Sequence, residues 1–194
     1  MSLIDTIYGI FFDPVPTLQY LAREKPLLPG LLVYLVVFVF NLIINRGLTT
    51  LDSEIAGFIP DGNFIWVFAG LGVILSFFIL ALTAGLLSLL SEIFYQRGNA
   101  SGLLVCLSFA VIPGALGPPL QYGATLLGVS WLGVILSLLA VIWVLVLQVL
   151  SLREALELQT GQAVLLFILP GLLVVFLLLG LIFIIAQTMP SFPG

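Results

Sequence analysis

The sequence predicts an all-α integral membrane protein: five transmembrane helices preceded by short interfacial amphipathic helices. Three observations predict it. Of 194 residues, 62% are hydrophobic and only 7% charged, against about 25% charged in a typical soluble domain. The mean hydropathy is +1.33. Charged residues punctuate the chain into five long apolar stretches. Each is near or above the roughly 20 residues that carry a helix across about 30 Å of hydrocarbon. In lipid a backbone must satisfy its own hydrogen bonds, so these stretches are expected to be helices despite their Val and Ile content.

Residues 1–28 form an N-terminal segment. Leu3, Ile4, Ile7, Tyr8, Ile10 and Phe11 make an apolar run flanked by Asp5 and Asp13. Pro14 and Pro16 then punctuate. Residues 17–25 follow, with Leu18 and Leu21 apolar and Gln19, Arg23, Glu24 and Lys25 polar. Both pieces suit short helices in the headgroup layer. No secretory signal is apparent, because Met1–Phe12 lacks a basic region, so the N-terminus is expected to be retained.

Residues 29–187 form the membrane domain. Its expected spans are 29–45, 64–91, 102–127, 129–150 and 163–186, followed by a short tail at 188–194. Pro26 and Pro29 turn the chain into the first span. The second carries small residues four apart, Gly72 with Ser76 and Ala81 with Gly85, a spacing that lets helices pack closely. The third contains Pro113, Gly114, Gly117, Pro118 and Pro119. Proline removes a donor and clashes with the preceding turn. The span therefore either kinks at Pro113 and ends near Pro118, or is broken or re-entrant. Any break must face protein or water. A tight hairpin near Gly128 leads to the fourth span. The link 151–162 is amphipathic, with Arg153, Glu154 and Glu157, and Gly161 suits a helix end.

Alternating five spans from a cytoplasmic N-terminus places Arg23, Lys25, Arg97 and Arg153 inside. Only Arg46 lies outside, with Asp52, Glu54 and Asp61. This bias follows the positive-inside rule. The four inside cations are a candidate partner or lipid surface. Within the membrane, Asn41, Asn45, Gln121 and Gln148 are a candidate polar site, and their simpler role is interhelical hydrogen bonding. Glu92 reads as an interfacial residue. Pro113, Pro118 and Pro119 are the candidate helix break.

Composition also excludes. The net charge of −4 argues against nucleic acid. The chain has no histidine, so the commonest general base and metal ligand is missing. The single Cys106 has no partner for an internal disulfide. No Cys or carboxylate cluster has metal-ligand spacing, and no glycine loop with lysine cradles phosphate. Neither a cofactor nor an enzymatic activity is expected. The sequon at Asn99–Ser101 falls in an inside connection and is discounted.

Three stretches carry a family resemblance. FFDPVPTLQYLAREKPLLPGLLVYLV (11–36) sets a proline and an amphipathic piece before the first span. NASGLLVCLSFAVIPGALGPPL (99–120) has a polar start and a proline midway through the third. IWVLVLQVLSLREALELQTGQAVLLFILPGLL (142–173) joins the last two spans through a Leu-Arg-Glu-Ala link. Together they resemble the Yip-one domain family of Ypt/Rab-interacting multispanning membrane proteins. The motifs are loose, mostly hydrophobic patterning with fixed prolines and polar turns, but the similarity covers nearly the whole chain. The resemblance implies a cytoplasmic N-terminus, five spans and an external C-terminus. It implies a compact prokaryotic-type member in a cell membrane, with no catalytic residues to transfer. The long hydrophilic N-terminal region and acidic-aromatic signature of eukaryotic members are not found, so GTPase binding is not carried over. The expected function is a non-enzymatic protein that organises membrane or recruits partners at the cytoplasmic face. The alternative is a lipid or small-molecule translocating protein that uses the broken third span. Expected partners are membrane lipids and another membrane or cytoplasmic protein, with homo-oligomerisation open.

Overall fold

The computed structural model describes residues 1–49 and 62–188, with side chains for 1–45 and 67–181. The described residues are helical, with no strand among them. Two short helices, α1 (Leu3–Phe12) and α2 (Pro14–Glu24), precede α3 (Leu27–Thr49) and α4 (Gly62–Tyr95). The third span is α5 (Ala100–Ala110), a 3-10 turn (Ile112–Leu116) and α6 (Gly117–Leu126). Next come α7 (Ser130–Ala155) and α8 (Thr160–Thr188). Among the described residues five units are long and apolar enough to cross a membrane: α3, α4, the α5–α6 pair, α7 and α8. The connection holding Asp52, Glu54 and Asp61, the Arg46 side chain and the tail beyond residue 188 lie outside the description.

Local chemistry sets the first helices. Ser2 and Asp5 form a reciprocal capping box on α1. Pro14 opens α2, where its missing N–H has no helical partner to lose. Lys25 ends α2 in the left-handed region, and Pro26 follows. The two helices form a hairpin in which the Gly9 backbone lies against the Thr17 side chain. That hairpin packs against α5. The Leu18 carbonyl accepts from Cys106 Sγ at 3.4 Å, and the Ala22 carbonyl accepts from Asn99 Nδ2 at 3.3 Å. One turn along α2 thus matches one to two turns back along α5, so the two run antiparallel.

The core lies on α5. In the third span 61% of the most apolar window is buried, against 6–22% in the other four. Leu103, Val105, Cys106, Phe109 and Ala110 are fully or almost fully buried. Helices α3, α4, α7 and α8 present wide apolar faces outward, as lipid-facing helices do.

The third span resolves the two readings of its prolines. It does not end near Pro118. It breaks between Ala110 and Gly117 and then continues to Leu126. Pro118 and Pro119 sit in the first turn of α6, where a missing N–H leaves no bond unmade. Buried Pro113 sits in the 3-10 turn, which packs on α3 and α7. The break therefore faces protein. Along α7 the register is continuous: Gly133 lies against Gln121 and Ala124, Ser137 against Gly117, and Val144 against Gly114. Ser137 Oγ donates to the Gly117 carbonyl at 3.0 Å.

The hairpin at Gly128 is a helix stop of Schellman type. Gly128 has φ +75, its N–H bonds the Thr125 carbonyl, and the Val129 N–H bonds the Ala124 carbonyl. Two expectations are corrected. Gly161 is not a helix end. It lies in the first turn of α8, and the stop comes at Glu157, in the left-handed region, with Leu158 N–H bonded to the Arg153 carbonyl. Of the small-residue pairs in α4, Gly72 and Ser76 face α3, through Phe38 and Tyr34. Ala81 is exposed, and a side chain at Gly85 would meet nothing. Outside the N-terminal hairpin, the tightest glycine contacts among the described residues are at Gly102 and Gly133.

Candidate functional site

Alternation of the helices brings six termini of the described helices to one end of the bundle: the C-termini of α2, α4 and α7 and the N-termini of α3, α5 and α8. Asn99 joins four of them. As the N-cap of α5 its Oδ1 accepts from the Gly102 N–H at 3.2 Å. Its Nδ2 donates to the Ala22 carbonyl of α2 at 3.3 Å and to the Ala155 carbonyl of α7 at 3.1 Å. Its own N–H donates to Ser88 Oγ of α4 at 3.0 Å. One side chain thereby satisfies carbonyls that two helix ends leave without intrahelical donors.

Above Asn99 is a cleft of about 270 Å³, lined by Gln19 and Arg23 of α2 and by Arg153, Glu154 and Glu157 at the end of α7. Arg153 NH2 lies 2.5 Å from Glu154 Oε1, and Gln19 Nε2 donates to Glu154 Oε2 at 2.7 Å. Arg97, beyond α4, reaches Glu157 Oε2 at 2.6 Å. That pair is exposed at both ends, so it holds little stability and mainly sets position.

Among the described residues three non-glycine residues adopt positive φ: Lys25 (51), Gln96 (56) and Glu157 (51). All three follow helix C-termini at this end. The left-handed conformation costs a residue with a Cβ roughly 1–2 kcal/mol. Local strain of this kind gathers where side chains must be aimed. Here the left-handed Glu157 follows the end of α7, and its carboxylate pairs with Arg97.

The four candidate cations meet this arrangement unequally. Arg23 and Arg153 line the cleft, and Arg97 joins through Glu157. Lys25 caps α2, is exposed and is not among the lining residues. The intramembrane polar residues do not form one site. Gln121 packs against Gly133, whereas Gln148 lies fifteen positions further along α7, roughly 22 Å away by helical rise. Asn41 Oδ1 is buried without a partner among the described residues, and Asn45 is exposed. Pro113, Pro118 and Pro119 belong to the packed break and not to this end. Among the described residues no cluster of His, Cys, Asp and Glu could hold a metal ion. Sequence reasoning missed Asn99 and Gln19. An asparagine immediately before an apolar helical run is an N-cap signal, and it could have drawn attention to Asn99.

A family model described as the Yip1 domain matches residues 8–182. No curated protein and no solved structure matches the chain.

Proposed function

The chain belongs to the Yip1 domain family, and from that premise we propose a non-enzymatic membrane protein whose charged end organises membrane or recruits partners. The observation that carries this reading is the cleft, with Arg23, Arg153 and Glu157 presented where helix ends converge. The match over nearly the whole chain supports the multispanning framework. In membranes of the native host, the full-length protein is expected to co-purify with a stoichiometric protein partner. The Arg23→Gln/Arg153→Gln double variant should lose that partner while remaining monodisperse in detergent. An unchanged partner complement in the double variant would sink the reading.

We further propose that the charged end faces the cytoplasm. Arg23, Lys25, Arg97 and Arg153 all gather there, which is the positive-inside arrangement. Cys106 is fully buried, so a Lys25→Cys variant carries a single accessible thiol. Its labelling by an impermeant maleimide is expected only after the membrane is opened. Labelling in intact cells would reverse the assignment.

A second reading, a lipid or small-molecule translocating protein, is favoured by the discontinuous third span. Flux of lipids or solutes in proteoliposomes tests it, and a flat response across a broad panel removes it.

A further inference from the structure

The charged end is not a basic patch. Arg97 is paired with Glu157, and Arg153 with Glu154, whose second oxygen is taken by Gln19. Among the described residues no carboxylate lies within salt-bridge reach of Arg23. The cleft therefore offers one uncompensated guanidinium, beside a carboxylate, Glu157, that is 74% exposed. A polyanion would meet Glu154 and Glu157 as well as the arginines. A ligand with one negative and one positive charge would meet complementary groups on both sides.

Depth in the bilayer identifies the source of such a ligand. Exposed Trp131 begins α7 at the far end, where tryptophan marks the headgroup level. A crossing of about 20 residues from Trp131 ends near Ser151. Arg153 to Glu157 then fall roughly 3–9 Å beyond the hydrocarbon, within the headgroup layer. The volume, about 270 Å³, lies below the roughly 300–1,000 Å³ of sites for drug-sized ligands. It suits a headgroup whose acyl chains stay in the bilayer. None of the lining residues is aromatic. Quaternary ammonium groups are held by aromatic faces, whereas a primary ammonium donates hydrogen bonds to a carboxylate.

We propose that the cleft binds the headgroup of a phospholipid carrying one phosphodiester and one primary ammonium. Arg23, with Arg153, holds the phosphate, and Glu157 holds the ammonium. This rests on the reading of the charged end as the working surface and names a ligand for it. Arg97, already on Glu157, fixes that carboxylate's position, so it is a positioning residue here.

The test uses the delipidated full chain in mild detergent, with lipid occupancy counted by native mass spectrometry. Phosphatidylethanolamine, phosphatidylcholine and phosphatidylglycerol with identical acyl chains are supplied in equal amounts. The ethanolamine lipid is expected to be bound about tenfold more than either other lipid. Arg23→Gln should cut its occupancy about tenfold. Arg23→Lys, which keeps the charge, should retain most of it at the same melting temperature. Glu157→Gln should keep lipid binding but abolish the preference for ethanolamine over choline and glycerol. Equal occupancy of the three lipids, a preference for phosphatidylglycerol, or failure of Arg23→Lys to bind would each overturn the proposal. If the protein partner is absent but lipid selectivity is present, the recruiting reading alone fails. If selectivity is absent but the partner is present, the lipid proposal alone fails.

Discussion

Replacing Asn99 with alanine is expected to remove about 3 kcal/mol of stability. The N-cap contributes about 1 kcal/mol. The Ala22 and Ala155 carbonyls each lose a donor, at roughly 1 kcal/mol apiece in a part-buried setting. These contributions share one side chain and need not add strictly. Asn99→Ser separates them. It keeps an oxygen for the cap but has no amide reaching α2 and α7, and should cost about 2 kcal/mol. Both are read from unfolding by SDS titration in mixed micelles. A serine variant as stable as the parent would mean that the interhelix bonds contribute nothing and that Asn99 is only a cap.

The second large effect is at Gly133. A Cβ there would sit 2.9 Å from both Ala124 Cβ and Gln121 Cα. Neither neighbour is the free end of a flexible side chain, so α6 must move away from α7. That movement would also stretch the Ser137 bond to the Gly117 carbonyl. Gly133→Ala should cost about 1–3 kcal/mol, as overpacking does. Gly85→Ala on α4 should have the opposite sign. Its Cβ meets nothing within 4 Å, and alanine gains about 0.5–1 kcal/mol over glycine in a helix interior. The same micelle titration compares them. A Gly133→Ala variant as stable as the parent would contradict the packing described for α6 and α7, and a destabilised Gly85→Ala would contradict the open space beside α4.

These sites show where the sequence was readable. Five spans followed from composition, because a chain so poor in charge has no other solvent. The chain reversal at Gly128 was legible, since only glycine takes φ +75 without cost. The prolines announced a break, but not that α6 would resume behind it. Pro118 and Pro119 look like terminators until α7 is known to pack along both halves. The charge pattern was legible only in part. Four cations fall on one side and make a candidate partner or lipid surface, but that Arg97 meets Glu157 sixty positions away was not visible. Such pairing depends on where helix ends meet, which no local pattern encodes. Asn99 was hidden for the same reason. Its cap is local, but the carbonyls that it serves belong to α2 and α7.

The seating of the N-terminal hairpin bears on how the protein is made. Leu18 meets Cys106 across 88 positions of sequence, so the hairpin has no seat on α5 until the third span is synthesised. At roughly 5–20 residues per second, that delay lasts several seconds or more. During it the hairpin must wait at the bilayer surface, where its apolar faces can rest in the headgroup region. Docking of the hairpin then covers α5. A chaperone or neighbouring chain that captured the hairpin in that interval would leave α5 exposed to lipid.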